Sequence, residues 1–188
     1  MNGMNMVALC FAVFFLFWIL EARKSKRTER RESFESRLSY TLLTAASFFL
    51  LFSQYGNSGI LARKWLTASP LVEIAGIATV VAGLGFAVWA RLHLGRNWSA
   101  MVTVKESHQL IKSGPYRLVR HPIYFGMIVA MAGAAVVNRE LRGVVSVVLL
   151  FLGFFIKSRI EDRFMEDTFG AEYEAYRKAT GALIPRFR

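Results

Sequence analysis

Apolar residues run along this chain in five blocks, each separated from the next by a charged or turn-rich connection. They are Met4 to Leu20, Tyr40 to Phe52, Leu71 to Leu94, Ile123 to Val137 and Val144 to Ile156. A helix needs roughly 20 apolar residues to cross the hydrocarbon core of a bilayer. The third block reaches that length, and the first does so if its ends are included. The second is short and needs Ser39 and Gln54 near its ends. The fifth continues past Ile156 as a charged helix, Lys157 to Phe169, which should leave the membrane and end at Gly170. Asn138 to Gly143 reads as a tight turn, so the fourth and fifth helices should form a hairpin. Glu172 to Lys178 reads as a further short helix before the tail Leu183-Ile184-Pro185. The pattern predicts an all-α polytopic membrane protein with about five transmembrane helices in a single domain over residues 1–188.

Charge turns the pattern into a topology. The 188 residues are 54% hydrophobic and carry a formal net charge of +11. Of the 24 lysines and arginines, only Arg63, Lys64, Arg139 and Arg142 fall in the two connections read as external. The rest cluster in residues 21–37, in residues 91–120 and from Lys157 onward. Cytoplasmic segments carry such an excess, so the N-terminus is expected outside and the C-terminus in the cytoplasm. The same distribution favours a basic face on anionic lipid over nucleic acid as the partner. The first block lacks a basic flank before it and a small-residue cleavage site after it, so it reads as a retained helix. Cys10, the single cysteine, supports no disulfide or metal cluster. Asn97-Trp98-Ser99 matches a glycosylation sequon but falls on the cytoplasmic side. Gly83-Leu84-Gly85 lacks the third glycine and the preceding strand of a nucleotide fingerprint, and reads as a close helix contact.

The chemistry gathers between His108 and Gly126. This stretch is too polar for lipid, yet apolar runs flank it. It holds His108 and His121, Tyr116 and Tyr124, and Arg117 and Arg120. Gly114-Pro115 marks a turn, and Pro122 biases His121 away from helix, so a bend is expected where the fourth helix begins. Polar groups at the mouth of a membrane helix must be paired, wet or functional. On the fifth helix Lys157 and Glu161 share a face, while Asp162 is turned away by about 100°. The chain has no phosphate loop, paired-cysteine site or nucleophile elbow. His93, His108 and His121 are too scattered to assert a metal site.

From Leu94 onward the sequence resembles the isoprenylcysteine carboxyl methyltransferases and their phospholipid methyltransferase relatives. The resemblance rests on Leu94-Gly95-Arg96-Asn97-Trp98-Ser99, His108-x-Leu110, Gly114-Pro115-Tyr116 and Arg120-His121-Pro122-x-Tyr124-x-Gly126. Glu161-Asp162, Phe169-Gly170-x-x-Tyr173-x-x-Tyr176 and Leu183-x-Pro185 complete it. The first two helices carry no such match; residues 1–93 supply three helices, and residues 94–188 form the methyltransferase-like region.

The resemblance implies an S-adenosylmethionine-dependent membrane methyltransferase whose C-terminal helices and cytoplasmic loops form the cofactor pocket. By position, His108, Gln109, Leu110 and Ile111 would line the cofactor. Tyr116, His121, Pro122, Ile123 and Tyr124 would form the next wall, and Glu161 would hold a cofactor polar group. Arg120 and Lys157 would be catalytic and face the acceptor, a prenylated thiol-acid, a phospholipid amine or another amphiphile. The tyrosine faces suit a sulfonium. His121 is the candidate base if the acceptor is an amine. Gly126, with Ala130, Gly133 and Ala134, would leave room for the acceptor tail or merely let helices pack. A membrane reductase of the sterol-reductase type using NADPH, and a non-catalytic membrane protein with a vestigial pocket, are the alternatives.

Overall fold

A computed structural model describes residues 2–23, 28–31, 33–53, 59–95, 103–105 and 110–186. Five long helices and one short helix account for most of them. In chain order they are α1 (Gly3–Ala22), α2 (Phe34–Phe52), α3 (Pro70–Leu94), α4 (Pro122–Asn138), α5 (Leu141–Phe169) and α6 (Ala171–Ala179). Three of them, α1, α3 and α5, are long and apolar enough to cross a membrane, and α4 is a shorter apolar helix. Their outward faces are apolar: Leu9, Val13 and Leu16 on α1, Leu71, Ile74 and Val81 on α3, and Val148, Leu152 and Phe155 on α5 are all exposed. A helix apolar on its outer face as well as its inner one is built for lipid.

The helix starts follow local chemistry. α2 begins at Phe34, six residues before the apolar block, because the Ser33 hydroxyl caps it by accepting from the Ser36 backbone N–H at 3.2 Å. The polar first turns conceal this start from a hydropathy reading. α3 and α4 each open on a proline, at Pro70 and Pro122, where the missing N–H costs nothing. α4 closes through Arg139, whose φ of 62° lets α5 start at Leu141. The fourth and fifth helices therefore form the expected hairpin, with a tighter turn than the sequence suggests. Two short strands, β1 (Thr28–Arg31) and β2 (Thr103–Lys105), pair antiparallel. They tie together two basic connections that the sequence presents as loops.

Among the described residues, α3 and α4 pack against each other most extensively. Gly76 and Gly83 on α3 face Gly133 and Gly126 on α4, seven residues apart on each helix. A Cβ built on Gly126 would lie 2.6 Å from the Gly83 carbonyl oxygen, and one on Gly83 would lie 2.6 Å from the Gly126 carbonyl oxygen. Gly133 and Gly76 repeat the arrangement one layer outward, at 2.6 and 2.9 Å. The expectation that Gly83 serves close helix packing is met. The expectation that Gly126 leaves room for an acceptor tail is corrected: α3 fills that face, and Ala130 and Ala134 are fully buried beside it. On the other side α1 and α2 interlock through Phe11, which meets Phe48 and Phe52 edge-on at 5.6 Å each.

Candidate active site

The bend at His121 puts a polar cluster at the end of the bundle where α4 begins. Val119 bridges Gly181, the Arg120 N–H donates to the Gly181 carbonyl at 2.9 Å, and the His121 N–H donates to the Ala182 carbonyl at 3.1 Å. These bonds strap the C-terminal segment across the start of α4, and Leu183 plugs into the core beside it. With its backbone so occupied, His121 does not use its side chain as a helix cap. The ring instead lies between α4 and the polar half of α5.

His121 bridges two consecutive carboxylates. Its Nε2 is 2.8 Å from Asp162 Oδ1, and its Nδ1 is 3.2 Å from Glu161 Oε2. Both ring nitrogens face carboxylate oxygens, so both carry protons and the ring is an imidazolium. Burial pulls the His121 pKa down, but the hydrogen bonds and charges of Asp162 and Glu161 outweigh it and raise it to about 9. A ring holding both protons is no general base, which corrects the role expected of His121 toward an amine acceptor.

Asp162 is the hub. It receives hydrogen bonds from His121, from Arg120 Nη2 at 3.1 Å and from the Tyr173 hydroxyl of α6 at 2.5 Å. Burial, together with the Asp162 charge, holds the Tyr173 hydroxyl pKa well above its usual value. Arg120 Nη1 donates to the carbonyls of Arg177 and Thr180. The Arg120 side chain is only 8% exposed. The structure thus corrects the expectation that Arg120 faces an acceptor: its guanidinium clamps α5, α6 and the C-terminal segment together.

Glu161 and Lys157 occupy the side toward α2. The Tyr124 hydroxyl donates to Glu161 Oε1 at 2.5 Å. The Tyr124 ring stacks on His121 at 5.5 Å and on Phe154 at 4.6 Å. Lys157 Nζ stands 5.4 Å from the Tyr124 centroid and 5.2 Å from that of Tyr40 on α2. The cation over Tyr124 is thus the protein's own ammonium, where the sequence suggests a sulfonium.

Of the other expected residues, Tyr116 is buried, donates to the Ala90 carbonyl at 3.4 Å and stacks on His93 at 6.3 Å. Its carbonyl accepts from the Tyr176 hydroxyl at 2.6 Å. Burial holds its own hydroxyl pKa far above the usual value. It therefore anchors the 3-10 turn at Gly114–Arg117 rather than lining open space. Pro122 is fully buried at the first position of α4, and Leu110, Ile111 and Ile123 are half-buried. His108 and Gln109 lie outside the described residues. No group of three or more metal-ligating side chains occurs among the described residues. Sequence reasoning misses Asp162, Tyr173, Phe154 and Tyr40 as members of the cluster. Asp162 and Tyr173 lie within motifs to which the sequence assigns no role, whereas Tyr40 carries no signal.

Comparison with known proteins gives the arrangement relatives. The sequence model of the phospholipid methyltransferase family matches residues 71–172. A probable protein-S-isoprenylcysteine O-methyltransferase of Oryza sativa subsp. indica is 31% identical over 61% of this chain and 61% of its own length. The chain therefore spans less than two thirds of that relative. The protein-S-isoprenylcysteine O-methyltransferase of Saccharomyces cerevisiae is 27% identical over 98% of this chain and 80% of its own length. Among solved structures, the eukaryotic intramembrane Ras methyltransferase (isoprenylcysteine carboxyl methyltransferase) is 25% identical and superposes with a TM-score of 0.59. That match covers 78% of this chain and 52% of the other.

Proposed function

This chain belongs to the phospholipid methyltransferase family, and from that premise we propose that it methylates a lipophilic acid at the membrane–cytoplasm interface using S-adenosylmethionine. The observation that carries the reading is the cluster of His121, Tyr124, Lys157, Glu161 and Asp162, gathered where α4 begins and α5 turns polar. The cluster lies within the matched residues 71–172. The isoprenylcysteine specificity named for the relatives supports an acceptor with a prenyl tail and a carboxylate head.

The residues fit a cofactor bearing an amino group and ribose hydroxyls. Glu161 keeps a 23% exposed side chain. A carboxylate accepts about four hydrogen bonds, so Tyr124 and His121 leave it room for a further donor. His108 to Ile111 are proposed, by position alone, as the rest of the cofactor wall. When bound, S-adenosylmethionine supplies a methyl group on a cationic sulfur.

This chain's residues then bind, orient and exclude water. Lys157 holds the acceptor carboxylate, whose own electron pair makes the new bond, so no side chain has to take a proton. Reactions in which opposite charges cancel are favoured in a dry site, and alignment supplies much of the rate. Tyr124 and His121 keep Glu161 oriented. The Arg120–Asp162–Tyr173 network holds the C-terminal segment across the cluster. The bias of basic residues supports an N-terminus outside and an active site in the cytoplasm.

Purified protein in detergent should bind S-adenosylhomocysteine and not NADPH, which separates this reading from the reductase alternative. Glu161→Ala should weaken that binding by an amount on the order of 1–3 kcal/mol, the cost of losing a buried acceptor. Tight NADPH binding, or binding of neither molecule, would sink the methyltransferase reading. Unchanged affinity in Glu161→Ala would remove Glu161 from the cofactor site.

A further inference from the structure

We propose that a cavity at the end of the bundle opposite the polar cluster is a phospholipid site: Arg139 takes the phosphate of a zwitterionic head, Glu73 takes its ammonium, and the groove between α1 and α3 takes one acyl chain. The cavity holds about 700 Å³, and Met6, Ser69, Glu73, Ile74, Ile77 and Arg139 are among its lining residues. That volume falls within the roughly 300–1,000 Å³ of small-molecule sites. His121 and Arg139 flank the 17 residues of α4, so about 25 Å separates this cavity from the polar cluster at 1.5 Å per residue. The site therefore stands apart from the methyl-transfer reading and does not depend on it.

The geometry begins at Gly3. A Cβ built there would lie 2.7 Å from Glu73 Cδ and 2.9 Å from Glu73 Cγ, so the missing side chain lets Glu73 cross the start of α1. The first turn of α1 has no acidic residue of its own. A helix N-terminus carries partial positive charge, which holds the Glu73 carboxylate at the edge of the groove. Arg139 lines the same cavity from the α4–α5 turn. Its φ of 62° is a conformation in which glycine or asparagine is the usual residue. Its N–H donates to the Ala135 carbonyl at 2.9 Å, and its carbonyl accepts from the Trp65 N–H at 3.0 Å. The side chain is therefore projected from a pinned backbone. Its Nε is buried and has no hydrogen-bond partner among the described residues. The adjacent carboxylate, Glu140, is engaged by Arg142 Nε at 2.6 Å. A buried donor without a partner carries a cost that a ligand oxygen removes.

The chemistry of the lining names the ligand class. A guanidinium suits a phosphate, to which it gives charge-assisted hydrogen bonds. The Ser69 hydroxyl, which accepts from the Leu71 N–H at 3.3 Å, has its own proton to donate to the same phosphate. A carboxylate on the same cavity suits the positive end of the head. The rest of the lining is apolar and opens sideways. Met6 and Ile74 line the cavity and are exposed, and Leu71 beside them is exposed as well. A water-borne zwitterion would leave that surface uncovered. A phospholipid of the adjoining leaflet covers it with its chain, and the burial of apolar area adds to the binding.

The test titrates the full chain in detergent with lysophosphatidylethanolamine and, separately, with lysophosphatidylglycerol, read by native mass spectrometry. The wild type should bind the first about threefold more tightly, since only that head carries an ammonium for Glu73. Arg139→Gln should weaken both lipids by about tenfold, the scale of a lost hydrogen bond to a charged group. Glu73→Gln should remove the difference between them. Ile77→Trp fills the groove, leaves both charges in place and should also weaken both lipids; it stands in for Arg139→Gln if that variant does not fold. Glu161→Ala, at the far end of the bundle, should leave lipid affinity within about twofold of wild type. Inorganic phosphate at millimolar concentration should not displace the lipid. Wild-type affinity for either lipid in Arg139→Gln or Ile77→Trp overturns the proposal, as does a preference for the ethanolamine head that survives Glu73→Gln. Displacement by phosphate would mark a free-anion site and overturn the lipid assignment. Lipid affinity lost in Glu161→Ala but kept in Arg139→Gln would move the lipid to the polar cluster and overturn it equally.

Discussion

His121 shows how one side chain can fix the protonation of a whole cluster. With a carboxylate on each ring nitrogen it must stay doubly protonated. Losing one proton would leave one carboxylate oxygen facing a ring-nitrogen lone pair and remove the ring's charge from both. Its folded pKa of about 9 lies above the ordinary value of 6.5. The protonated ring therefore adds stability that is fully present below about pH 6.5 and is lost as pH rises through about 9. The size is on the order of 3 kcal/mol, since the pKa rises from 6.5 to about 9 and each tenfold gain in proton affinity is worth about 1.4 kcal/mol. Glu161, Asp162 and Tyr124 contact the ring, and Arg120 shares Asp162 with it, so the loss of its proton is felt across the cluster. Thermal unfolding in detergent should give a midpoint that drops between pH 6.5 and 9.5, and His121→Gln should flatten the drop. A wild-type midpoint that is level over this range would show that the ring is not held as an imidazolium. The sequence supplied the residue types here. The doubly bonded state became legible only once α4 and α5 were side by side, because Glu161 and Asp162 point about 100° apart and need a bridging group to act together.

At the level of elements, glycine placement decides which faces meet. Gly76, Gly83, Gly126 and Gly133 bring the backbones of α3 and α4 within contact of each other, and Gly153 does the same for α2 and α5. Small residues on membrane helices serve such approaches because lipid provides no hydrophobic drive for association. Gly126→Leu would force a branched side chain against the Gly83 carbonyl and the Ala87 backbone. Overpacking of this kind costs roughly 1–3 kcal/mol or more. The expected outcome is a lower thermal midpoint in detergent, with cofactor and acceptor affinities falling together as the site loses its α4 support. A raised acceptor KM at unchanged thermal stability would instead restore the idea of a tail channel along α4. The small-residue stripe was visible in the sequence, but both the tail channel and the packing seam fitted it. Only the position of α3 separates them, since spacing along one helix does not say which neighbour fills the notch.

Over its described residues the molecule is a helical bundle with apolar outer faces and a polar cluster at the end where α4 begins. Twenty of the 24 lysines and arginines lie in segments assigned to the cytoplasm. A reporter fused after Arg188 should therefore read as cytoplasmic in cells, and one fused before Met1 as external; the opposite pair of readings would overturn the orientation. The sequence by itself determined the helical class, the helix starts to within a residue of Pro70 and Pro122, the end at Gly170 and the short α6. It also singled out the stretch from His108 to Gly126 and Glu161, of which His121, Tyr124 and Glu161 come together in the structure. Those features are local: apolar periodicity, caps, prolines and charge act within a few residues of where they are written. Tertiary structure alone decided that Arg120 is a clamp, that Asp162 is a hub, that α3 closes the face of Gly126 and that Tyr40 reaches Lys157. Each depends on a contact between residues distant in the chain, such as Arg120 with Asp162 or Tyr40 with Lys157. Such pairs are set by how closely helices approach, which is a property of two surfaces and not of either sequence segment.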